Sequence, residues 1–192
     1  MRRFLAAMVV GSLLVTAACS RQQGSNLAEE EATAKNLNLS LCDVQSARFD
    51  DDTADGKPSV GDGFTYVIKV STKSGPKACD VPQGQFFGVE EIVQEMPGDQ
   101  GGKSFLTNFQ GTFMLPDGNM QLRSMGYVSV QAAEMAQMKR SGPVAMGLGD
   151  LFPKQHEASV IGQGGSFTGY LGTAVLVPGQ PPVAQIKLFK RF

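Results

Sequence analysis

The chain has 192 residues, a formal net charge of −1 and 42% hydrophobic residues, with one histidine, three cysteines and no tryptophan. This near-neutral charge gives no indication of a nucleic-acid partner. One histidine and three cysteines are also too few donors for a structural metal site, so we expect no metal.

The N-terminus has the pattern of a bacterial secretory signal. Two arginines precede an apolar run, residues 4–15, that is shorter than the roughly 20 residues of a membrane span. Small residues lead to Cys19 in the stretch VTAACS, which resembles a lipobox with Thr16 in place of the usual leucine. We predict a lipoprotein signal peptide over residues 1–18, lipidation of Cys19 and membrane anchoring at the cell envelope, facing the periplasm or the exterior. An ordinary signal peptide that contains a cysteine is the alternative.

The polar, weakly patterned residues 19–38 are predicted to be the lipidated cysteine and a flexible tether. Residues 39–192 have the size of one ordinary domain and contain no second linker. If Cys19 carries the lipid, Cys42 and Cys79 remain as an even pair in an oxidising compartment. We therefore predict a disulfide between Cys42 and Cys79.

Eight strands are predicted from the alternation of apolar and polar residues. They span residues 39–49, 64–70, 85–96, 104–115, 120–130, 156–162, 171–177 and 183–192. The sequence PDGN between the fourth and fifth strands is the clearest hairpin turn. Helix-forming residues, 131–140, interrupt the strands between the fifth and the sixth.

These elements predict an all-β fold, because eight antiparallel strands joined mainly by short loops can close into a barrel and leave no exposed edge. We predict an eight-stranded antiparallel β-barrel with a helical insertion between strands 5 and 6. A sandwich of two sheets is the alternative. The methionine-rich insertion, residues 131–153, is either a lid over the barrel mouth, a helix packed outside the barrel or part of a subunit contact.

The glycine-rich stretch VIGQGGSFTGYLGTAVLV, residues 160–177, is not a dinucleotide fingerprint. The pattern G-x-G-x-x-G would require glycine where Phe167 stands, and a predicted strand follows instead of a helix. Glycines between two strands allow bulges and tight curvature. The stretch therefore predicts a bend in the sheet.

This bend is similar to one in the allene oxide cyclase and dirigent superfamily of β-barrels, written roughly T-G-G-x-G-x-F-x-G-x-x-G. The matching residues are Gly162, Gly165, Phe167, Gly169 and Gly172. Ile161 replaces the threonine and Gln163 replaces the second glycine. Upstream, GTFMLPDGNMQLRSMGY looks like the family's hairpin of strand, Asp-Gly turn and strand, and the order of elements agrees from about Val60 onward.

The resemblance implies a cofactor-independent cyclase. Family members bind apolar, often polyketide-like or oxylipin-like substrates in the barrel and close rings or steer radical coupling without a metal or an organic cofactor. Holding such a substrate in a near-attack conformation would promote stereoselective ring closure. Because family relatives are dimers or trimers, the resemblance also implies a homodimer or homotrimer.

Two non-catalytic functions compete with this interpretation, and the lipobox favours both of them. The first is a lipocalin-like envelope lipoprotein that binds an apolar ligand. The second is a structural or interaction lipoprotein whose barrel is filled by its own side chains.

The candidate substrate-binding residues lie on the apolar faces that we expect to point inward. They are Phe64, Ile68, Phe105, Phe109, Phe113, Met120 and Leu122. In the third strand, Glu91 shares a face with apolar residues such as Phe87 and Val89, which would raise its pKa and suit it to proton transfer. The alternative is that Glu90 and Glu91 both lie at a strand distortion with their carboxylates in water.

Tyr66 and His156 complete the catalytic candidates with Glu91. Tyr66 could donate a hydrogen bond to a substrate carbonyl, or be a core tyrosine with a satisfied hydroxyl. His156 is in phase with two apolar residues at the start of a strand, and so near a barrel mouth. A lone surface histidine is the alternative for His156.

Overall fold

The computed structural model describes residues 34–75, 77–98, 102–135, 138 and 141–191. The predicted signal peptide, Cys19 and most of the predicted tether lie outside these residues. The strands are β1 Lys35–Asp50, β2 Gly63–Ser71, β3 Gly84–Pro97, β4 Lys103–Leu115, β5 Gly118–Val130, β6 Gly142–Pro143, β7 His156–Gly162, β8 Tyr170–Val177 and β9 Val183–Lys190. The helices are α1 Ala132–Met135, before β6, and α2 Leu148–Leu151, after it. None of the helices in the described ranges has the length and apolar character needed to cross a membrane.

Eight of these strands form a closed antiparallel ring in the order β2-β3-β4-β5-β7-β8-β9-β1, and β1 pairs back with β2. Strand β1 closes the ring because it is long. Its residues 35–40 pair with β9, and its residues 40–50 pair with β2. The two-residue strand β6 pairs with the second half of β1. The predicted eight-stranded barrel with an insertion between its fifth and sixth strands is confirmed, and the sandwich is wrong.

Two predicted boundaries differ from the structure. Strand β1 begins at Lys35, so residues 35–38 belong to the barrel and not to the tether, and Leu37 packs against the core. The alternation of Leu37, Leu39 and Leu41 with polar residues already extends into this segment. A helix is predicted over residues 131–140, and the described residues show one short helix there, α1. Positions 136, 137, 139 and 140 lie outside the described residues.

The face assigned to the third strand was wrong. In β3, Gly88 and Glu90 face the interior, whereas Val89 and Glu91 face solvent. Alternation alone could not decide which face of β3 points into the barrel, because both faces of this strand carry apolar residues. Packing decides it, since a Cβ atom on Gly88 would overlap the ring of Tyr66, which is paired opposite it. A larger residue at this position could not face inward.

One continuous apolar core fills the barrel. The seven residues predicted to line the interior do face inward, and each is 0% exposed: Phe64, Ile68, Phe105, Phe109, Phe113, Met120 and Leu122. Aromatic rings pack directly against one another, as where the centroids of Phe86 and Phe113 lie 4.6 Å apart. The barrel interior is therefore occupied by its own side chains in this structure.

The end of the barrel that carries the β4–β5 and β7–β8 connections, here called the glycine end, is closed by backbone. Cβ atoms added at Gly118 or Gly162 would overlap the carbonyl oxygens of Gly164 and Phe167, respectively. Gly118 also has φ of +140°, a conformation that favours glycine. The glycine-rich stretch is therefore a sheet bend whose glycines permit close backbone contact.

The predicted disulfide between Cys42 and Cys79 is present, with a Cα–Cα distance of 5.3 Å. It joins β1 to a short 3₁₀ helix, Ala78–Asp80, in the connection between β2 and β3. This connection also lies at the glycine end, because β2 ends and β3 begins there. A covalent bond therefore strengthens the end that backbone contacts close.

The opposite end is closed by residues 141–153, here called the plug, which precede β7. Met146, Leu151 and Phe152 of the plug are buried in the barrel core. The plug is held to the barrel backbone by β6 and by a hydrogen bond from the Val144 N–H to the Ala47 carbonyl. Side chains therefore provide most of the closure at this end, here called the plugged end.

Candidate active site

A buried carboxyl group lies inside the barrel at Glu90, which is 1% exposed. The Tyr66 hydroxyl donates a hydrogen bond to Glu90 Oε1 at 2.8 Å. The Thr107 hydroxyl donates to the other carboxyl oxygen, Oε2. Both Glu90 oxygens are thus bound by side chains from the two neighbouring strands, β2 and β4.

Two glycines within strands provide the space for this group. Gly88 leaves room for the Tyr66 ring, as described above. A Cβ atom on Gly126, in β5, would lie 2.9 Å from Glu90 Oε2 and 2.8 Å from Thr107 Oγ1. Because real Cβ atoms essentially never show distances below 3.0 Å, a larger residue at this position would require the Thr107 hydroxyl and the Glu90 carboxyl group to shift.

Burial raises the pKa of Glu90 to about 7, and the hydrogen bonds from Thr107 and Tyr66 lower it in part. The pKa of Tyr66 is raised well above its usual range, first by burial and then by the charge of Glu90. Tyr66 therefore stays a neutral hydroxyl. Glu90 exists in both its neutral and ionised forms near neutral pH, the range in which a carboxyl group is an effective proton donor or acceptor.

His156 is also buried, at 9% exposure, so the alternative of a surface histidine is wrong. Its ring meets Phe109 edge to face with centroids 5.6 Å apart and stacks on Phe152 at 6.4 Å. Its Nδ1 faces the Lys154 carbonyl at 3.5 Å, and its Nε2 is buried without a hydrogen-bond partner among the described residues. Burial lowers the pKa of His156, which keeps the imidazole neutral.

Phe152 of the plug connects these groups. Its ring lies edge to face against Tyr66, with centroids 6.2 Å apart, and stacks on His156. Phe109, which also touches His156, is paired opposite Glu90 in the sheet. The structure thus brings Tyr66 and His156 to one aromatic cluster beneath the plug. Glu91 lies outside the barrel, so its predicted place on the inner face was wrong.

Sequence reasoning missed Glu90 and Thr107. Thr107 was visible as the one polar residue between Phe105 and Phe109 on the aromatic face of its strand. Glu90 could be found only by fixing the phase of β3, and Gly88 opposite Tyr66 is the signal that does so.

A second acidic cluster lies in the β1–β2 loop, where oxygens of Asp51, Asp55 and Asp62 lie within 4.8 Å of one another. Asp62 is fully buried, but its two oxygens already accept hydrogen bonds from loop groups that include the Asp52 and Ser59 N–H. This arrangement organises the loop by itself. It therefore gives no support for a metal site.

The barrel fold and the Glu90 site together define the class of protein. It is a single β-barrel domain with a hydrogen-bonded carboxyl group in an aromatic interior. A solved structure described as a pyocyanin demethylase has a TM-score of 0.50 and 17% sequence identity, covering 80% of this chain and 99% of that chain. This similarity shows the barrel fold alone.

Two Diels-Alderase structures are also similar. The Diels-Alderase AbmU from Streptomyces koyangensis has a TM-score of 0.47 and 16% identity, covering 96% of this chain and 83% of that one. AbnU, described as an exo-specific intermolecular Diels-Alderase, has a TM-score of 0.42 and 14% identity, covering 81% and 97%. No family model matches the sequence, and no curated protein matches it.

Proposed function

We propose that the protein is a cofactor-independent cyclase that binds an apolar, polyketide-like or oxylipin-like substrate inside the barrel and promotes stereoselective ring closure. The observation that supports this function is the Glu90 carboxyl group, which is buried among aromatic rings and has a pKa raised to about 7. In its neutral form, a carboxylic acid in such a place can donate a hydrogen bond to a substrate carbonyl.

The chemistry needs no further reactant. In a [4+2] ring closure, three π bonds of the substrate become two σ bonds and one π bond, and no atoms are gained or lost. A hydrogen bond from neutral Glu90 or from Tyr66 to a carbonyl conjugated with the reacting alkene withdraws electron density and lowers the barrier. The apolar walls hold the two reacting ends of the substrate close together, and this positioning raises the rate of ring closure.

Substrate access requires the plug to move, because the interior is filled in the closed structure. Phe152 lies against both Tyr66 and His156 and is attached to the barrel mainly by side-chain packing. Displacing this one ring would open a space bordered by both groups. The proposal therefore assigns residues 141–153 the role of a lid.

The filled interior also favours a second candidate, a non-catalytic envelope protein. Complete burial of the seven inward-facing core residues is what a barrel stabilised by its own side chains would show. In that case Glu90 and its partners would be a buried polar network without a substrate. A lipocalin-like lipoprotein, which would bind a ligand without converting it, lies between the cyclase and a barrel that binds no ligand.

We further propose that the barrel is anchored at the cell envelope through Cys19 and assembles as a homodimer or homotrimer. The Cys42–Cys79 disulfide supports a compartment outside the reducing cytoplasm. Metabolic labelling with a fatty-acid analogue tests the anchor, since wild type should be labelled and Cys19→Ser should not. Light scattering of the detergent-solubilised protein measures the oligomer.

The test of the function is conversion of linear polyenes that carry a carbonyl-activated alkene by the purified full-length protein. We expect a ring-closed product of unchanged mass, enriched in one stereoisomer, at a rate that falls as pH rises through about 7 and Glu90 ionises. Glu90→Leu, which removes the donor, should lose most of this activity, and Glu90→Gln, which keeps an N–H donor that does not ionise, should lose the dependence on pH. The matched variant Glu91→Gln should behave as wild type. A product distribution equal to that in buffer would overturn the proposal. Binding by calorimetry without conversion would establish the lipocalin-like alternative.

A further inference from the structure

His156 Nε2 is a buried polar atom without a partner among the described residues, in a surrounding of aromatic rings. Leaving such an atom unpaired costs stability, because it loses its hydrogen bonds to water and gains none in return. Phenylalanine in this position would keep the ring stacking without that cost. The unpaired nitrogen therefore indicates a role in a state other than the closed one.

The neighbours of His156 fix which kind of hydrogen bond its Nε2 can make. Nδ1 faces the Lys154 carbonyl oxygen, which is only an acceptor, so this geometry favours the hydrogen on Nδ1. In the neutral ring Nε2 then carries a lone pair and only accepts. A ligand group that pairs with Nε2 must be a donor, a hydroxyl or an N–H.

The ring that covers His156 belongs to the plug. Phe152 stacks on the imidazole and also touches Tyr66, which in turn donates to Glu90. When the lid of the proposed function opens, a flat ligand that replaces the Phe152 ring would lie against His156. Its other end would extend toward the carboxyl group. Ser124 Oγ, a second buried atom with no partner in the described part of the chain, can donate or accept and so does not narrow the ligand class.

We propose that the interior site is selective for flat, conjugated molecules that carry a hydroxyl or N–H donor for His156 Nε2 in addition to an acceptor carbonyl. This inference rests on the proposed function for the location of the site and names its substrate class. It concerns binding, so it can hold or fail independently of catalytic turnover.

A pair of probes tests it: 4-hydroxychalcone, a conjugated ketone with a phenol, and 4-methoxychalcone, in which the donor is blocked. We expect calorimetry with the full-length protein to show about tenfold tighter binding of the hydroxy probe, the contribution of one buried hydrogen bond. His156→Phe should remove this preference, and Glu157→Gln, an exposed neighbour on β7, should retain it. Equal affinity of the two probes for wild type, or no binding of either, would overturn the proposal.

Nitrogen NMR gives a test that needs no variant. His156 is the single histidine of the sequence, so ¹⁵N-histidine labelling of a protein without a histidine tag yields one pair of ring nitrogen signals. We expect Nε2 to resonate as an unprotonated nitrogen in the free protein and to shift upfield when 4-hydroxychalcone binds, but not with 4-methoxychalcone. A protonated Nε2 in the free protein, or an unchanged signal with the hydroxy probe, would contradict the assignment.

Discussion

The two ends of the barrel are closed by different kinds of contact. At the glycine end, backbone lies directly on backbone at Gly118 and Gly162, and the Cys42–Cys79 disulfide joins β1 to the β2–β3 connection. At the plugged end, side chains such as Leu151 and Phe152 fill the opening. A side chain can rotate out of its site, whereas a backbone contact through glycine can move only with the strands. The barrel is therefore expected to open at the plugged end.

The polarity of the barrel interior also differs between the glycine end and the plugged end. Toward the glycine end the core is apolar, as where Phe86 packs on Phe113. From the middle of the barrel to the plugged end it includes the hydrogen-bonded Glu90 and the His156 Nε2, which has no partner among the residues that the structure describes. Within the apolar core, the carboxyl group and the imidazole, which are costly to bury, thus lie where the barrel is least firmly closed. This coincidence is what a binding site requires and what a barrel built only for stability would avoid.

The largest effect is expected from a side chain placed where backbone closes the barrel. Gly162→Ala would force a Cβ atom onto the Phe167 carbonyl and should destabilise the protein by about 4 kcal/mol. Gly149→Ala in α2, at the plugged end, meets nothing within 4 Å and should change stability by less than about 1 kcal/mol. Chemical denaturation measures both. Similar losses for the two variants would contradict the difference between the ends.

Loss of the disulfide should have the next largest effect. Replacing Cys42 and Cys79 by alanine releases a loop with a sequence separation of 37, which should cost about 3 to 4 kcal/mol through the entropy of the unfolded chain. The midpoint of denaturant unfolding reports this change. An unchanged midpoint would show that the glycine contacts close this end without the covalent bond.

The pH dependence of stability examines the plugged half. The pKa of Glu90 is raised from 4.5 to about 7 in the folded protein, so between these values the folded state holds a proton that the unfolded state has released. This group's contribution to stability is fully present below pH 4.5 and is lost as pH rises through 7, a decline of about 3 kcal/mol. Glu90→Gln should not show this decline.

The matched control for that measurement is Glu91→Gln, on the outer face of the same strand. It should lose stability with pH as wild type does. Stability curves that coincide for Glu90→Gln and wild type between pH 4.5 and 7 would show that Glu90 titrates as an exposed carboxyl.

The smallest predicted effect comes from the Tyr66 hydroxyl. Tyr66→Phe removes the hydrogen bond to Glu90 Oε1 and should cost about 1 kcal/mol above pH 7, where the acceptor is charged, and less in acid. It should also raise the pKa of Glu90 further, because the hydrogen bond favours the ionised form. Tyr127→Phe is the control, and thermal unfolding at two pH values measures both. An equal cost at both pH values would contradict the pairing with a titrating group.

Strand alternation was sufficient to predict the barrel, its insertion and the inward direction of seven core residues, because period and turn chemistry are local properties. The disulfide followed from the count of cysteines. The phase of β3 was not predictable by the same route, since Phe87 and Val89 are as apolar as the inward residues. Only the pairing of Gly88 with Tyr66, a property of strand register, decides which glutamate is buried.

His156 illustrates the same limit. Its position at the start of a strand indicated the barrel mouth, but its burial depends on Phe152, which lies in a segment without a regular pattern. The fold of the plug depends on the barrel that it covers. Its contacts therefore could not be derived from the order of its own residues.

Glu90 should be a carboxylic acid inside the barrel that stays neutral in mild acid and ionises only near pH 7, and infrared titration measures this directly. We expect a carbonyl band of a protonated carboxyl group that disappears with a midpoint near pH 7, persists in Glu91→Gln and is missing from Glu90→Gln. A protonated-carboxyl band that is already lost near pH 4.5, or one that survives in Glu90→Gln, would contradict it.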